Sequence, residues 1–104
     1  MAFYVYILQC VDGSYYTGHT DNLEARLVGH QNGAIKGYTF TRRPVQLVFS
    51  DQFSTRQDAF ERERQIKGWS RAKKLALIEQ NWERLQDLSR NARGSTSSPM
   101  RGRA

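Results

Sequence analysis

The chain has 104 residues, a formal net charge of +6 and a single cysteine, Cys10. This length suits one small domain with a modest core, and one cysteine excludes both an internal disulfide framework and a cysteine-rich zinc site. The start of the chain, MAFYVYILQC, has no basic leader and an apolar run too short to span a bilayer, so we expect a cytoplasmic protein without membrane association.

The first predicted elements are two strands that form a hairpin. FYVYILQC (residues 3–10) is rich in aromatic and branched side chains, which favours a buried strand, and YYTG (15–18) predicts its partner. Between them, VDGS is typical of a hairpin turn with Asp12–Gly13 at its tip. A helix follows over LEARLVGHQNG (23–33), with an N-cap in TDN and an end at Asn32–Gly33.

The second half predicts one more strand and further helices. VQLVFSDQF (45–53) is typical of a strand, and the next helix (54–68) begins at a Ser54 or Thr55 cap and ends at Gly68. Another helix begins at Ser70 and continues through NWERLQDL (81–88). We therefore predict one α+β domain over residues 1–88, in which a small, mostly antiparallel three-stranded sheet is flanked by three to four helices. Residues 89–104 have little apolar content and predict a basic, disordered tail.

Two side chains of the first helix are spaced for a common site. Arg26 and His30 are four residues apart, so they stack on one face of the helix, at the edge of its leucine stripe. An arginine that lies along the core boundary and a surface histidine explain the same pattern.

A glutamate interrupts the apolar face of the helix over residues 54–68. With 3.6 residues per turn, Glu63 falls inside the stripe formed by Ala59, Phe60 and Ile66, whereas Glu61 points to the opposite side. A carboxylate in such a place is costly unless it is paired or binds a metal ion. The residues therefore leave two interpretations of Glu63: a structural ion pair with Arg26 or Lys67, or a metal-binding or catalytic carboxylate.

The positive charge is unevenly distributed. All ten acidic residues and twelve of the sixteen basic residues precede Ser89, and the tail adds four arginines. Six basic residues lie between Arg62 and Lys74 with Glu63 as the only acid, and four of them are candidates for phosphate binding: Lys67, Arg71, Lys73 and Lys74. A solvated helix face explains this cluster equally well.

The loop before the third strand interleaves aromatic and basic side chains. Tyr38 and Phe40 alternate with a pair of arginines, Arg42 and Arg43, as in loops that contact nucleic acid strands. A loop anchored by its aromatic side chains, with exposed arginines, is the alternative.

Together these residues resemble the GIY-YIG nuclease superfamily, in its small stand-alone bacterial form. Tyr4–Tyr6 (YVY) corresponds to the first half of the family motif, with tyrosine where the family usually has glycine, and Tyr16–Gly18 (YTG) corresponds to the second half. The helix arginine of the family falls on Arg26, its frequent histidine on His30 and its metal-binding glutamate on Glu63. The ordered set, with fitting spacings, is the specific signal.

The resemblance implies hydrolysis of DNA phosphodiester bonds with one divalent cation, Mg²⁺ or Mn²⁺. By similarity, Glu63 holds the cation, Arg26 binds the scissile phosphate and Tyr16 orients or deprotonates the attacking water. His30 is a candidate acceptor for that proton, and Tyr6 supplies a second hydroxyl. The resemblance extends from about Phe3 to Ile78 and lacks one feature: Leu75 stands where many members have asparagine.

A shared site requires both phenols on one face of the sheet. A two-residue hairpin loop would place Tyr16 opposite to Tyr6, whereas a three-residue loop, Asp12–Ser14, pairs Tyr16 with Cys10 and places it on the face of Tyr6. We therefore predict the longer loop.

We expect a metal-dependent endonuclease that acts in DNA repair or recombination, or on structured or single-stranded DNA, as a monomer or weak dimer. A catalytically weak nucleic-acid-binding module that keeps the nuclease fold is the main alternative. A protein-interaction adaptor with a basic face is a third.

Overall fold

The computed structural model of the chain describes residues 1–94, and the surroundings of side chains as far as residue 90. This part contains three strands and four helices, which are β1 (Phe3–Gln9), β2 (Tyr15–Thr20), α1 (Leu23–Asn32), β3 (Gln46–Phe53), α2 (Arg56–Lys67), α3 (Arg71–Ile78) and α4 (Trp82–Gly94). They divide into two compact units, Met1–Gly68 and a unit that begins at Trp69. The predicted α+β class is confirmed.

The three strands form one antiparallel sheet in the order β2-β1-β3. Strand β1 is therefore central, in keeping with its aromatic and branched composition, and β2 is an edge strand. The pairing of β1 with β3 shifts register between Ile7 and Leu8.

The loop of the β1–β2 hairpin begins one residue earlier than predicted. The backbone N–H of Cys10 donates to the carbonyl of Ser14 over 2.8 Å, so the three loop residues are Val11, Asp12 and Gly13. Gly13 has a φ of +87°. The last residue of such a loop adopts this left-handed conformation, and glycine does so at lower cost than Ser14 would, which explains the shift.

This shift changes the partner of Tyr16 but not its face. Tyr16 pairs with Leu8, so the predicted pairing with Cys10 is wrong. Because the register differs by two positions, Tyr16 remains on the same face of the sheet as Tyr6, as predicted.

The sheet has helices on both faces. On one face, Leu23 and Leu27 of α1 pack against a buried cluster of Tyr6, Leu8, Cys10 and Val45. Helix α2 packs against all three strands, and its Ala59 and Ile66 are completely buried. Side chains alternate along a strand, so Val5 and Ile7 of β1, and the β2 residues paired with them, face away from Tyr6.

Side-chain caps fix where the first two helices begin. The Asn22 side chain accepts a hydrogen bond from the backbone N–H of Ala25 at the start of α1. Thr55, rather than Ser54, caps α2 through the backbone N–H of Asp58. These caps set the helical phase that carries the functional side chains.

In the second unit, the predicted continuous helix is divided into two. Gln80 has a φ of +56°, which ends α3, and the Asn81 side chain caps α4 through the backbone N–H of Arg84. Helix α4 then continues to Gly94, so Ser89–Gly94 is helical rather than disordered. No glycine or proline occurs between Trp82 and Gly94, and the Ser89 hydroxyl donates to the Leu85 carbonyl. The rest of the predicted tail, 95–104, lies outside the described residues.

The predicted domain boundary at residue 88 stays a prediction. Among the described helices, none has the length and apolar character needed to cross a membrane.

Candidate active site

A cleft of about 320 Å³ lies along the edge strand β2. Four of the five predicted catalytic residues line it: Tyr6, Tyr16, Arg26 and Glu63. The lining also includes residues that the sequence did not single out, among them His19, Asp21 and Arg56. The fold thus brings residues from both strands of the hairpin, α1 and α2 to one place.

His30, the fifth predicted residue, lies behind the two tyrosines. Its Nε2 is 2.9 Å from the Tyr6 hydroxyl, and its Nδ1 is 2.8 Å from the Thr39 hydroxyl. His30 is only 1 % exposed, so the interpretation as a surface histidine is wrong. We call Tyr6, Tyr16, His30 and Thr39 the tyrosine–histidine cluster.

This environment keeps the buried members of the cluster uncharged. Burial, followed by the nearby positive charge of Arg26, lowers the pKa of His30. Burial, followed by the neighbouring Tyr16, raises the pKa of Tyr6 far above its ordinary value. Tyr6 therefore keeps its proton at neutral pH and acts there as a hydrogen-bonding group rather than as a base.

Tyr16 occupies the side of the cluster that borders the cleft. Its ring centroid is 5.3 Å from that of His30 and 6.4 Å from that of Tyr6, and Tyr38 stacks against it at 6.1 Å. No described residue forms a hydrogen bond with its hydroxyl. The ring is thus fixed by packing, while the hydroxyl is available to a ligand.

Gly18 makes room for this arrangement. A Cβ atom at position 18 would lie 2.6 Å from the Tyr6 hydroxyl oxygen and 2.7 Å from its Cζ. Any larger residue would displace Tyr6, because a real Cβ atom does not approach another atom so closely. Steric contact with Tyr6 therefore explains why the YTG motif has glycine at position 18.

Arg26 supplies a positive charge at the cleft. The side chain is exposed and forms no ion pair with any described residue, although its charge reaches the buried His30 and Tyr6. Of the two interpretations of this arginine, its lining of the cleft favours a ligand-binding role.

Glu63 is held by two partners. The Lys67 ammonium lies 2.6 Å from its Oε2, and the His19 Nδ1 hydrogen-bonds to its Oε1. Glu63 is only 7 % exposed, whereas Glu61 is exposed on the other side of α2, as predicted. We call Glu63, His19 and Lys67 the carboxylate cluster.

The carboxylate of Glu63 is ionised at neutral pH. Burial by itself would raise its pKa, but the hydrogen bonds and charges of Lys67 and His19 outweigh burial and hold the pKa below its ordinary value. The structural ion pair that the sequence left open is therefore present with Lys67 and not with Arg26. It does not exclude a metal-binding role, because the same carboxylate lines the cleft.

His19 is the main residue that the sequence analysis missed. It pairs with Val5 across the hairpin, so it faces α2 rather than Tyr6, and its ring lies 5.6 Å from the Phe60 ring in an edge-on contact. Its position beside Gly18 gives no signal by itself. Alternation along β2 combined with a docked α2 would have identified it.

Arg56 and Asp21 form a second missed pair at the cleft, with Arg56 Nη2 3.2 Å from Asp21 Oδ2. The two charges come from the start of α2 and the turn after β2. Each neutralises the other, and Glu63 is paired with Lys67, so among the described lining residues Arg26 is the charge without an ion pair.

The arginines of the aromatic loop are largely engaged within the protein. Arg42 pairs with Asp12 at 3.1 Å and lies 3.9 Å above the Tyr38 ring. Arg43 donates to the Phe40 carbonyl over 2.9 Å and covers the Phe40 ring. These contacts agree with an anchored loop, and the predicted DNA contacts of both arginines stay a prediction.

The other predicted DNA-binding residues are divided between the two units. Lys67 is bound to Glu63 in the first unit, and Arg71, Lys73 and Lys74 belong to α3 of the second. The Lys73 ammonium lies 4.3 Å above the Trp69 ring. Their role in DNA binding is untested.

Comparison with known proteins identifies the family. The family model described as the GIY-YIG catalytic domain matches residues 2–76. The chain belongs to the GIY-YIG family. The resemblance seen in the tyrosine, arginine, histidine and glutamate set is thus confirmed.

Relatives of similar size support this assignment. UPF0213 protein SSP2268 of Staphylococcus saprophyticus is 51 % identical over 75 residues, which cover 72 % of this chain and 92 % of the relative. A UPF0213 protein of Bacillus pumilus is 43 % identical over 77 residues, or 74 % of this chain and 79 % of the relative.

Solved structures agree on the fold. The solution NMR structure of the UPF0213 protein BH0048 from Bacillus halodurans matches with a TM-score of 0.52 and 38 % identity, covering 86 % of this chain and 98 % of that one. The NMR structure of EF2693 from E. faecalis matches with a TM-score of 0.52 and 30 % identity, and 96 % of each chain is covered. The GIY-YIG domain is a nuclease-type fold, and it implies DNA as the substrate.

Proposed function

We propose that this GIY-YIG protein is a divalent-metal-dependent endonuclease that hydrolyses DNA phosphodiester bonds. One observation carries the proposal: the Arg26 guanidinium and the ionised Glu63 line the same open cleft as the phenols of Tyr6 and Tyr16. A phosphoryl-transfer site needs this combination of a cationic clamp, a cation ligand and groups that orient water.

Glu63 fits a single hard cation. Mg²⁺ and Mn²⁺ accept oxygen ligands, and Mg²⁺ is commonly held by one or two carboxylates, with water and substrate phosphate oxygens as its other ligands. The described residues contain no group of three or more histidine, cysteine, aspartate or glutamate side chains able to hold a metal ion. This composition suits a cation held by one carboxylate better than zinc, which requires several nitrogen or sulfur ligands.

When bound to Glu63, the cation would supply charge to stabilise the phosphate in the transition state. The chain's own residues provide the rest. Arg26 binds the non-bridging oxygens of the scissile phosphate, since a guanidinium offers paired donors that match a phosphate. Its freedom from ion pairs with described residues leaves those donors available.

Tyr16 orients the attacking water. The water oxygen attacks phosphorus while the bond from phosphorus to the leaving oxygen breaks. The proton of the attacking water passes to solvent at the open cleft, and the leaving oxygen takes up a proton from solvent. Tyr16 has an uncommitted hydroxyl at the cleft, whereas the Tyr6 hydroxyl is bound to His30. Tyr6 and His30 therefore support Tyr16, and proton transfer through them is a secondary route.

The proposed DNA-contacting set consists of six basic residues: Lys67, Arg71, Lys73, Lys74, Arg42 and Arg43. Their phosphate contacts would be independent of sequence, as suits an enzyme of repair or recombination that acts on structured or single-stranded DNA. To contact a phosphate, Lys67 would have to leave Glu63, and Arg42 would have to leave Asp12.

A catalytically weak DNA-binding module is the second candidate. Leu75 stands where many family members have asparagine, and it is 40 % exposed. The pairing of Glu63 with Lys67 also favours this candidate, because an ammonium competes with a cation for the carboxylate.

A cleavage assay separates the two candidates. Purified protein is incubated with flap, nicked, forked and single-stranded DNAs, with Mg²⁺ or Mn²⁺. We expect cleavage of at least one substrate, and a loss of about a thousandfold in Glu63→Gln. Glu61→Gln, two residues away on the solvent side of α2, is the matched control and keeps full activity. DNA binding without cleavage in either metal would favour the binding module.

A further inference from the structure

Both oxygens of the Glu63 carboxylate are already engaged. His19 donates from Nδ1 to Oε1, and the Lys67 ammonium lies 2.6 Å from Oε2. The two partners come from different elements, His19 from the edge strand β2 and Lys67 from the next turn of α2. A cation that binds Glu63 must therefore be compatible with both partners.

The two partners differ in mobility and in charge. The His19 ring is held by the strand backbone and by its edge-on contact with Phe60, and its side chain is 24 % exposed. Lys67 reaches Glu63 through a flexible four-carbon chain that is 51 % exposed, and it brings a full positive charge. His19 is thus fixed beside Glu63, whereas the Lys67 ammonium can leave the carboxylate for water at little cost in free energy.

We propose that His19 is a positioning residue that holds the Glu63 carboxylate in orientation for a cation, and that Lys67 occupies the cation's place until the cation binds. The inference rests on the proposed function, since it takes Glu63 as the cation ligand. It assigns opposite effects to two side chains that contact the same carboxylate.

Each effect has a physical basis. Hydrogen bonds from neighbouring groups orient metal-binding side chains, and their removal typically weakens metal affinity 10- to 100-fold. A positive charge a few ångströms from a divalent cation repels it, so removal of the Lys67 charge should strengthen cation binding several-fold. Lys67 released from Glu63 is then available to a phosphate of the substrate.

The test is a titration of the free protein with Mn²⁺ alone, followed by electron paramagnetic resonance of the unbound ion. His19→Leu should bind Mn²⁺ at least about tenfold more weakly than wild type. His19→Asn should restore most of the affinity, because the asparagine amide N–H stands where the imidazole Nδ1–H stood. Lys67→Met should bind Mn²⁺ several-fold more tightly, while Lys36→Met, the same change on the loop after α1, should leave the affinity unchanged.

Thermal unfolding of each variant shows that it is folded. Glu63→Gln separates failure of the metal-binding role of Glu63 from failure of the positioning role of His19. Mn²⁺ affinity retained in Glu63→Gln, or absent from the wild type, overturns the metal-binding role in the proposed function and the inference with it. If Glu63→Gln loses affinity and His19→Leu does not, the positioning role alone is wrong. If Lys67→Met weakens Mn²⁺ binding as His19→Leu does, the pair is a structural network and the competition by Lys67 is wrong.

Discussion

The tyrosine–histidine cluster and the carboxylate cluster contribute to one cleft but are built in opposite ways. In the first, hydrogen bonds link Tyr6, His30 and Thr39 in sequence, and burial keeps the histidine and Tyr6 uncharged. In the second, a nearly buried carboxylate stays ionised because Lys67 and His19 compensate its burial. The tyrosine–histidine cluster fixes the positions of the side chains beside the cleft, and the carboxylate cluster keeps a negative charge at it.

Because of this difference, we expect mutations in the first cluster to affect mainly stability and mutations in the second to affect mainly activity. Loss of His30 from the tyrosine–histidine cluster leaves the buried hydroxyls of Tyr6 and Thr39 without this partner, which lowers the free energy of unfolding. Loss of charge in the carboxylate cluster leaves the half-exposed Lys67 free to turn to water, so it should cost little stability. Mutations in the two regions should therefore be distinguishable by whether activity or stability falls first.

Of the comparisons between the two clusters, the largest effect is expected for Arg26, the positive charge that lines the cleft together with Glu63. Arg26→Ala should lower the cleavage rate about 100- to 1000-fold, because it removes the phosphate clamp. Stability should change by less than about 0.5 kcal/mol, since Arg26 is exposed and unpaired among the described residues. Single-turnover cleavage and denaturant unfolding measure the two quantities.

Arg26→Lys and Arg64→Ala are the controls for this experiment. Lysine keeps the charge but loses the planar donors, so its rate should lie between those of wild type and Arg26→Ala. Arg64 is exposed on α2 and does not line the cleft, so its loss should have little effect. Wild-type activity in Arg26→Ala would contradict the clamp.

A stability effect is expected next, in the tyrosine–histidine cluster. His30→Ala removes one ring that bonds to two buried hydroxyls, those of Tyr6 and Thr39, and should lower the free energy of unfolding by about 2–4 kcal/mol. Urea titration measures this change. Val28→Ala, an exposed position on the same helix, should change it by no more than about 0.5 kcal/mol. Equal stabilities would mean that the hydrogen-bonded chain does not support the fold.

The smallest predicted effect is a pH dependence of stability. The pKa of His30 is lowered in the folded protein, so the unfolded chain binds a proton at higher pH than the folded one. Neutral His30 therefore contributes fully to the free energy of unfolding above pH 6.5, its ordinary pKa. This contribution is lost as the pH falls through 6.5 towards the lower pKa of the folded state. Urea unfolding between about pH 7.5 and 5.5 should give decreasing stability in the wild type.

His30→Gln is the comparison for this dependence, because it keeps a polar group but does not titrate. Its stability should fall less steeply over the same range. Parallel curves for the two proteins would assign the titration to other groups. The contribution of Glu63 does not interfere in this window, since its lowered pKa makes its own loss of stability begin near or below 4.5.

The sequence predicted much of the fold, because periodicity and turn chemistry act locally. The strand composition of residues 3–9, the cap before α1 and the glycine that ends α2 each depend on near neighbours, and all three are as predicted. The hairpin loop was predicted with the right length and shifted by one residue. The shift follows from Gly13, whose left-handed φ of +87° places it at the end of the loop rather than in its middle.

The site was predictable only where one element determines it. Helical phase separates Glu63 from Glu61 without knowledge of any other element. The importance of His19 depends on where α2 docks on the sheet, and the choice of Lys67 over Arg26 as the partner of Glu63 depends on distances between elements. Such long-range facts do not follow from the spacing of residues along the chain.

The central claim is that Arg26 and Glu63 act in one site, and a double-mutant cycle on the single-turnover cleavage rate tests it most directly. Residues that act as a unit have non-additive effects, so the Arg26→Ala/Glu63→Gln double variant should be little slower than the slower single variant. Rate losses that multiply in the double variant would mean that the two residues act independently, and would contradict the account.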